Sequence, residues 1–195
     1  MDPTTNGEYR VLSRRTETDL VFVDRSADES YDPVTVTVPE SAPTLRPGYA
    51  VDATLSWPGS GPAELVDADV RRRTRFEFLD DVTGLFEAAR ETWREASAAG
   101  DGVNSRVTRN TDGDPNGALY VFANPPGGPD VFEELQSGTL PLEPLVERVN
   151  EDDGVAEREV FVMRPADDPF VVVYVVFEPE GLLATTVRDT YDCPR

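Results

Sequence analysis

Apolar residues recur at every second position through the first part of the chain. Val34, Val36 and Val38 alternate with Thr35 and Thr37, and Tyr49, Val51, Ala53, Leu55 and Trp57 alternate with Ala50, Asp52, Thr54 and Ser56. Val66, Ala68, Val70, Thr74, Phe76 and Phe78 take one parity, while Asp67, Asp69, Arg71, Arg73, Arg75 and Glu77 take the other. Successive side chains of a strand point to opposite faces, so a period of two predicts half-buried strands. Glu8–Ser13 and Asp19–Asp24 add two more short β-like runs. Pro/Gly turns punctuate the series at Arg46-Pro47-Gly48 and at residues 57–62. The segment 8–78 therefore predicts a small antiparallel β-barrel, OB- or SH3-like.

The pattern changes at Leu79. Val82, Leu85, Phe86, Ala89, Trp93 and Ala96 fall on one helical stripe, which Asp80 or Asp81 can cap and Gly100 can end. Strands are predicted near Val103–Arg109 and Ala118–Ala123, around a tight turn at Thr111–Gly117, with short helices near Asp130–Gln136 and Leu142–Asn150. Two longer strands follow, Arg158–Arg164 and Phe170–Glu178, and the second is apolar on both parities, as a central strand should be. The turn Glu178-Pro179-Glu180-Gly181 then predicts a hairpin into a further strand, Leu182–Tyr191. Residues 79–195 thus read as an α+β domain with an antiparallel sheet of about five strands, and the whole chain as α+β.

Composition narrows the chemistry. The 195 residues carry 38 acidic and 18 basic side chains, a formal charge of −20, with no histidine. Lysine and isoleucine are also absent, so every positive charge is arginine and valine is the sole β-branched aliphatic. Histidine bases, His-ligated zinc, Ser-His-Asp or Cys-His catalysis, and lysine nucleophiles are all excluded. The lone Cys193 can form no internal disulfide. The opening Met1–Gly7 has no basic-then-apolar run, so no leader is expected. The longest apolar block, Phe170–Phe177, falls far short of the roughly 20 residues that span a bilayer. These points predict a cytoplasmic protein with no membrane role. The acids are dispersed in ones and twos, which reads as a surface adapted to molar salt, where the Debye length is about 3 Å. The charge is uneven: residues 1–78 hold nine arginines against 14 acids, a net of −5, and residues 79–195 a net of −15.

Two clusters offer chemistry. Arg71-Arg72-Arg73-Thr74-Arg75 on a strand would project Arg71, Arg73 and Arg75 from one face at about 6.6 Å intervals, near the spacing of successive phosphates. Asp67, Asp69 and Glu77 share that face, so a cross-strand ion-pair ladder is the competing reading. Arg106 and Arg109, on the polar run Asn104–Asn110, are candidate holders of a phosphate or carboxylate. Asp112-Gly113-Asp114-Pro115-Asn116-Gly117 matches positions one, three, five and six of an EF-hand loop, making Asp112, Asp114 and Asn116 candidate calcium or magnesium ligands. The twelfth place is Ala123 rather than glutamate, and Asp-Pro-Asn-Gly also makes a β-turn without any metal. No other cofactor is expected.

The runs Thr83–Arg90, Val103–Arg109, Thr111–Gly117 with Leu119–Phe122, and Arg188–Arg195 resemble an uncharacterised family of halophilic archaea. The resemblance supports the high-salt reading and implies no catalytic residue or cofactor. The reading of the whole is a non-enzymatic binding or accessory protein for nucleic acid or a phosphorylated ligand, engaged by Arg71, Arg73 and Arg75 with Arg106 and Arg109. A metal-dependent hydrolase or transferase built on Asp112, Asp114 and Asn116 is the alternative from enzyme chemistry, since carboxylate-held cations can activate water. A protein–protein interaction module is the third.

Overall fold

The computed structural model describes residues 2–25, 32–154 and 156–193. The chain divides into two compact units, residues 1–76 with 135–141, and residues 77–134 with 142–195. The class is α+β, with two five-stranded sheets.

In the first unit, β1 (Thr4–Arg14), β2 (Asp19–Asp24), β3 (Val34–Thr37), β4 (Ala50–Ser56) and β5 (Ala63–Arg72) pair in the order β1-β2-β3-β5-β4. β1 bonds to both β2 and β4, so the ring of pairings closes, and β3 with β5 is its parallel pair. The interior is filled by Tyr9, Val11, Leu20, Phe22, Val36, Leu45, Val51, Ala53, Leu55, Ala63 and Leu65. The β4 alternation reads as expected, but β5 does not keep one parity throughout. Leu65 faces Leu55 and Asp67 faces Thr54, so Val66 is an extra residue at a bulge and stands 61% exposed. A bulge reverses which parity points inward, so Ala63 and Leu65 fill the interior before it, and Ala68 and Val70 after it.

Gly48 closes the β3–β4 connection. Its φ is +94°, and a Cβ there would sit 2.4 Å from the Thr74 carbonyl oxygen. Its N–H donates to Val11 at 2.6 Å, and its carbonyl accepts from the buried Arg10 guanidinium, which lies over the Phe76 ring. On the outer side of β1 and β2, Leu12, Val21 and Val23 form a separate apolar cluster. The returning segment 135–141 approaches it so closely that a Cβ on Gly138 would meet Leu12 and Val23.

In the second unit, β6 (Arg75–Val82), β7 (Val103–Arg109), β8 (Pro115–Ala123), β9 (Glu159–Pro165) and β10 (Phe170–Val176) order as β6-β9-β10-β8-β7. β10 is central, and all seven of its residues are buried, as its two-sided apolar pattern requires. α1 (Glu87–Ala99) and α4 (Leu182–Thr190) cover one face, where Ala89, Ala184 and Val187 meet Leu119, Val121, Phe161, Met163, Phe170 and Tyr174. Trp93 stacks on Phe170 with centroids 5.1 Å apart. α2 (Val131–Ser137) and α3 (Glu143–Asp153) follow β8, and α3 lies against β10 with Val146 and Val149 buried.

Two expectations are corrected. The stripe starting at Val82 is not one helix. β6 runs to Val82, Asp81 takes a left-handed φ of +54°, and α1 starts only at Glu87 after Phe86, with no side-chain cap. Val82 and Leu85 join the same core as Ala89, so the stripe was continuous in packing but not in backbone. Leu182–Tyr191 is a helix rather than a strand, so β6, not this segment, completes the five-stranded sheet. The threonines that suggested a strand return their hydroxyls to carbonyls four residues back: Thr185 to Gly181, Thr186 to Leu182 and Thr190 to Thr186.

Candidate functional site

β7 is an edge strand whose two faces do different work. Toward α1, Asn104 donates to the Thr92 carbonyl at 3.1 Å, and Arg106 reaches Glu91 at 3.0 Å and Glu95 at 2.8 Å. The bond to Glu91 is the main cause that raises the Arg106 pKa. Thr108 bonds the Tyr174 hydroxyl at 2.9 Å and donates to Asn116 Oδ1 at 2.8 Å. The opposite parity, Ser105, Val107 and Arg109, borders a cavity of about 360 Å³. β8 supplies Ala118 and Tyr120 to it, and α3 supplies Arg148, Val149 and Asp152.

That cavity concentrates positive charge in the more acidic half of the chain. Arg106, Arg109 and Arg148 line it, and Asp152 is the acid among its described lining residues. Arg106 is already neutralised by its two glutamates. Arg109 donates to the Gly113 carbonyl at 2.8 Å, which fixes its stem without satisfying its charge. Among the described residues neither Arg109 nor Arg148 makes an ion pair. Burial pushes the Tyr120 hydroxyl above its ordinary pKa, so the ring presents a neutral phenol. The apolar remainder, Val107, Ala118, Val149 and Phe177, can seat the body of a ligand whose anionic end meets the arginines.

The acidic turn lies next door. Asp114 and Asn116, with Asn110, Glu178, Leu182 and Leu183, border a smaller cavity of about 240 Å³, and Pro115 and Phe177 belong to both cavities. Phe177 is held by the buried Arg158, whose guanidinium lies over its ring at 5.0 Å and donates to the Phe177 and Gly154 carbonyls. Within the turn, Asn110 Oδ1 accepts from the Asp112 and Asp114 amides at 3.0 and 2.9 Å. Asn116 gives its oxygen to Thr108, and strand β8 follows the turn where an EF-hand has a helix. Among the described residues no group of three or more acidic, cysteine or histidine side chains is placed to hold a metal ion. The turn is accounted for by its own hydrogen bonds.

Arg71, Arg73 and Arg75 do not form a row. β5 ends at Arg72, and β6 begins at Arg75 after Arg73 and a fully buried Thr74. Arg71 donates to Asp52 across the sheet at 2.6 Å and approaches Asp69 at 3.2 Å, so it forms a cross-strand pair as in an ion-pair ladder. Its pKa is raised chiefly by Asp52. Glu8, Asp52, Asp67 and Asp69 surround it in a shallow concavity, so this face is acidic on balance. Arg73 and Arg75 also have interaction partners. Cys193, near the C-terminal end, is buried, and its neighbour Arg195 lies outside the described residues.

Sequence reasoning found Arg106 and Arg109 and missed Arg148 and Tyr120. The available signal was the helical spacing of Val146 and Val149, which turns one flank of α3, and Arg148 with it, toward the open side of the sheet.

The fold and site define an acidic α+β protein with an arginine-bordered cavity. The chain belongs to a family of unknown function, DUF6663, whose model matches residues 1–195. No curated protein matches the sequence. Among solved structures it is similar to YloQ, described as a circularly permuted GTPase, at 11% identity and a TM-score of 0.27, over 50% of this chain. The chain spans 38% of that protein's matched chain, and a likeness of this size carries no argument about fold or activity.

Proposed function

We propose that the protein is a non-catalytic binding protein of a high-salt cytoplasm, and that it holds a phosphorylated ligand in the cavity beside β7. The observation that carries this reading is the pair Arg109 and Arg148, without ion pairs among the described residues, in the half of the chain with net charge −15. At molar salt long-range attraction is screened within about 3 Å, so direct hydrogen-bonded contacts must supply the affinity. Guanidinium suits that condition, because its planar fork gives two parallel bonds to a phosphate where an ammonium gives a point charge. The test is calorimetric titration of O-phosphoserine into the protein in molar KCl. Saturable binding that Arg148→Glu removes supports the reading, and a flat titration refutes it.

A second reading, nucleic-acid binding by the first unit, draws on its strand order. A five-stranded ring β1-β2-β3-β5-β4 is the arrangement of an OB-type barrel, a class that binds oligonucleotides across strands 2 and 3. The carboxylates around Arg71 weigh against it, because they repel a phosphate backbone. Titration of single-stranded oligonucleotide against Arg71→Glu/Arg73→Glu decides it: an unchanged affinity removes those arginines from the function.

A further inference from the structure

The cavity lies along an open sheet edge. β7 ends the order β6-β9-β10-β8-β7, and among the described residues no other backbone bonds to its outer side, although Ser105 N–H there donates to Asn104 Oδ1 at 2.8 Å. Its seven residues, Val103–Arg109, contain no proline, and six of them, Val103 to Thr108, pair with β8 in unbroken register. Natural edges of that length are commonly blunted by proline, by inward charges or by a covering loop. Here the face on the cavity side instead leaves Val103 52% and Val107 53% exposed. α3 stands across the cavity from it and contributes Arg148. An open edge strand facing a helix across a groove is a surface onto which an extended chain can add as a further strand.

We propose that β7 is a strand-addition surface for an extended phosphopeptide, whose phosphorylated residue stands opposite Arg109 and shares its phosphate with Arg148. The proposal rests on the reading of Arg109 and Arg148 as the anion site and names the molecule that presents the anion. Charge fixes the occupant's chemistry: Arg109 ends the strand, Arg148 lines the same cavity from α3 near Tyr120, the residue paired with Ser105, and the exposed valines continue from Arg109 on the same face of the strand. In an antiparallel addition, residues opposite Arg109, Val107, Ser105 and Val103 all project toward the cavity side, about 6.6–6.8 Å apart. The matching peptide carries a phosphoserine first and apolar side chains two and six positions later. The main-chain bonds give affinity, and the alternate side chains give selection.

The probe is the heptapeptide pSer-Thr-Val-Gln-Thr-Thr-Val, blocked at both ends, titrated in molar KCl beside O-phosphoserine. A second peptide carries N-methyl groups on alternate amides, which block strand pairing on the edge that would face β7, and its partner carries them on the other set. The peptide is expected to bind roughly tenfold tighter than O-phosphoserine. One N-methyl set should erase that gain while the other leaves it, and amide exchange should slow along Val103–Arg109. Equal affinity of peptide and O-phosphoserine overturns strand addition while leaving the anion site standing. Indifference to both N-methyl sets also overturns it. Binding of neither probe overturns the anion site and the strand addition together.

Discussion

Gly48 and Gly61 hold almost the same backbone angle, φ +94° and +95°, in very different surroundings. An alanine Cβ at Gly61 meets nothing within 4 Å, whereas at Gly48 it would lie 2.4 Å from the Thr74 oxygen, 2.6 Å from the Phe76 nitrogen and 2.7 Å from the Arg75 carbonyl carbon. Both substitutions carry the left-handed strain of a non-glycine residue, about 1–2 kcal/mol. At Gly48 the chain must also move away from Thr74–Phe76, which loosens the Phe76 N–H bond to Pro47 and the Gly48 N–H bond to Val11. Two such bonds are worth about 1 kcal/mol each. Gly48→Ala should therefore cost about 3–4 kcal/mol and Gly61→Ala about 1–2 kcal/mol. The chain has two tryptophans, Trp57 in the first unit and Trp93 in the second. Urea unfolding in molar KCl, followed by Trp57 fluorescence in a Trp93→Phe background, reads the first unit alone. Equal losses for the two variants would show that the close approach of Gly48 to Thr74–Phe76 does not shape this connection.

Three further outcomes are expected. Arg164 bonds Asp80 and Asp130 and nears Glu133, and its bond to Asp80 holds that carboxyl below its ordinary pKa of 3.8. That contribution is complete above about pH 4 and lost as pH falls through the folded-state pKa, so acid unfolding should be less steep in Arg164→Met. Glu159 and Arg188 form a pair with side chains 1% and 9% exposed, so Glu159→Gln should destabilise the second unit by about 3 kcal/mol, and Glu159→Gln with Arg188→Met by less, measured by Trp93 fluorescence. Burial, with Glu77 and Glu159 adding, pushes the Cys193 thiol up to about 11, so iodoacetamide at pH 8 should label it only after urea unfolds the chain.

The parts of the fold legible in the sequence were those where one period ran unbroken between turns. The β4 alternation around Val51, Ala53 and Leu55, and the two-sided apolar run of β10, each admitted one structural solution. Backbone events that side-chain spacing does not encode were not legible. The bulge at Val66 reverses parity in mid-strand, and the left-handed Asp81 ends β6 inside what reads as a helical stripe. The threonines of α4 have strand propensity, but their hydroxyls find carbonyl partners four residues back, and Ala184 and Val187 fit the sheet face. The candidate site divided in the same way. Arg106 and Arg109 lie in one strand and were visible together, and both border the cavity, yet alternation turns Arg106 onto Glu91 and Glu95 and leaves Arg109 without an ion pair among the described residues. Arg148 is 39 residues further along the chain than Arg109, so only the covering of β10 by α3 brings it there.

The central claim is that the anion site lies beside β7 and not on the arginine run of the first unit. Titration of O-phosphoserine in molar KCl against Arg109→Glu/Arg148→Glu and against Arg71→Glu/Arg73→Glu tests it most directly. The account expects the first pair to abolish binding and the second to leave it unchanged. Retained binding in the first pair, or its loss in the second, would contradict it.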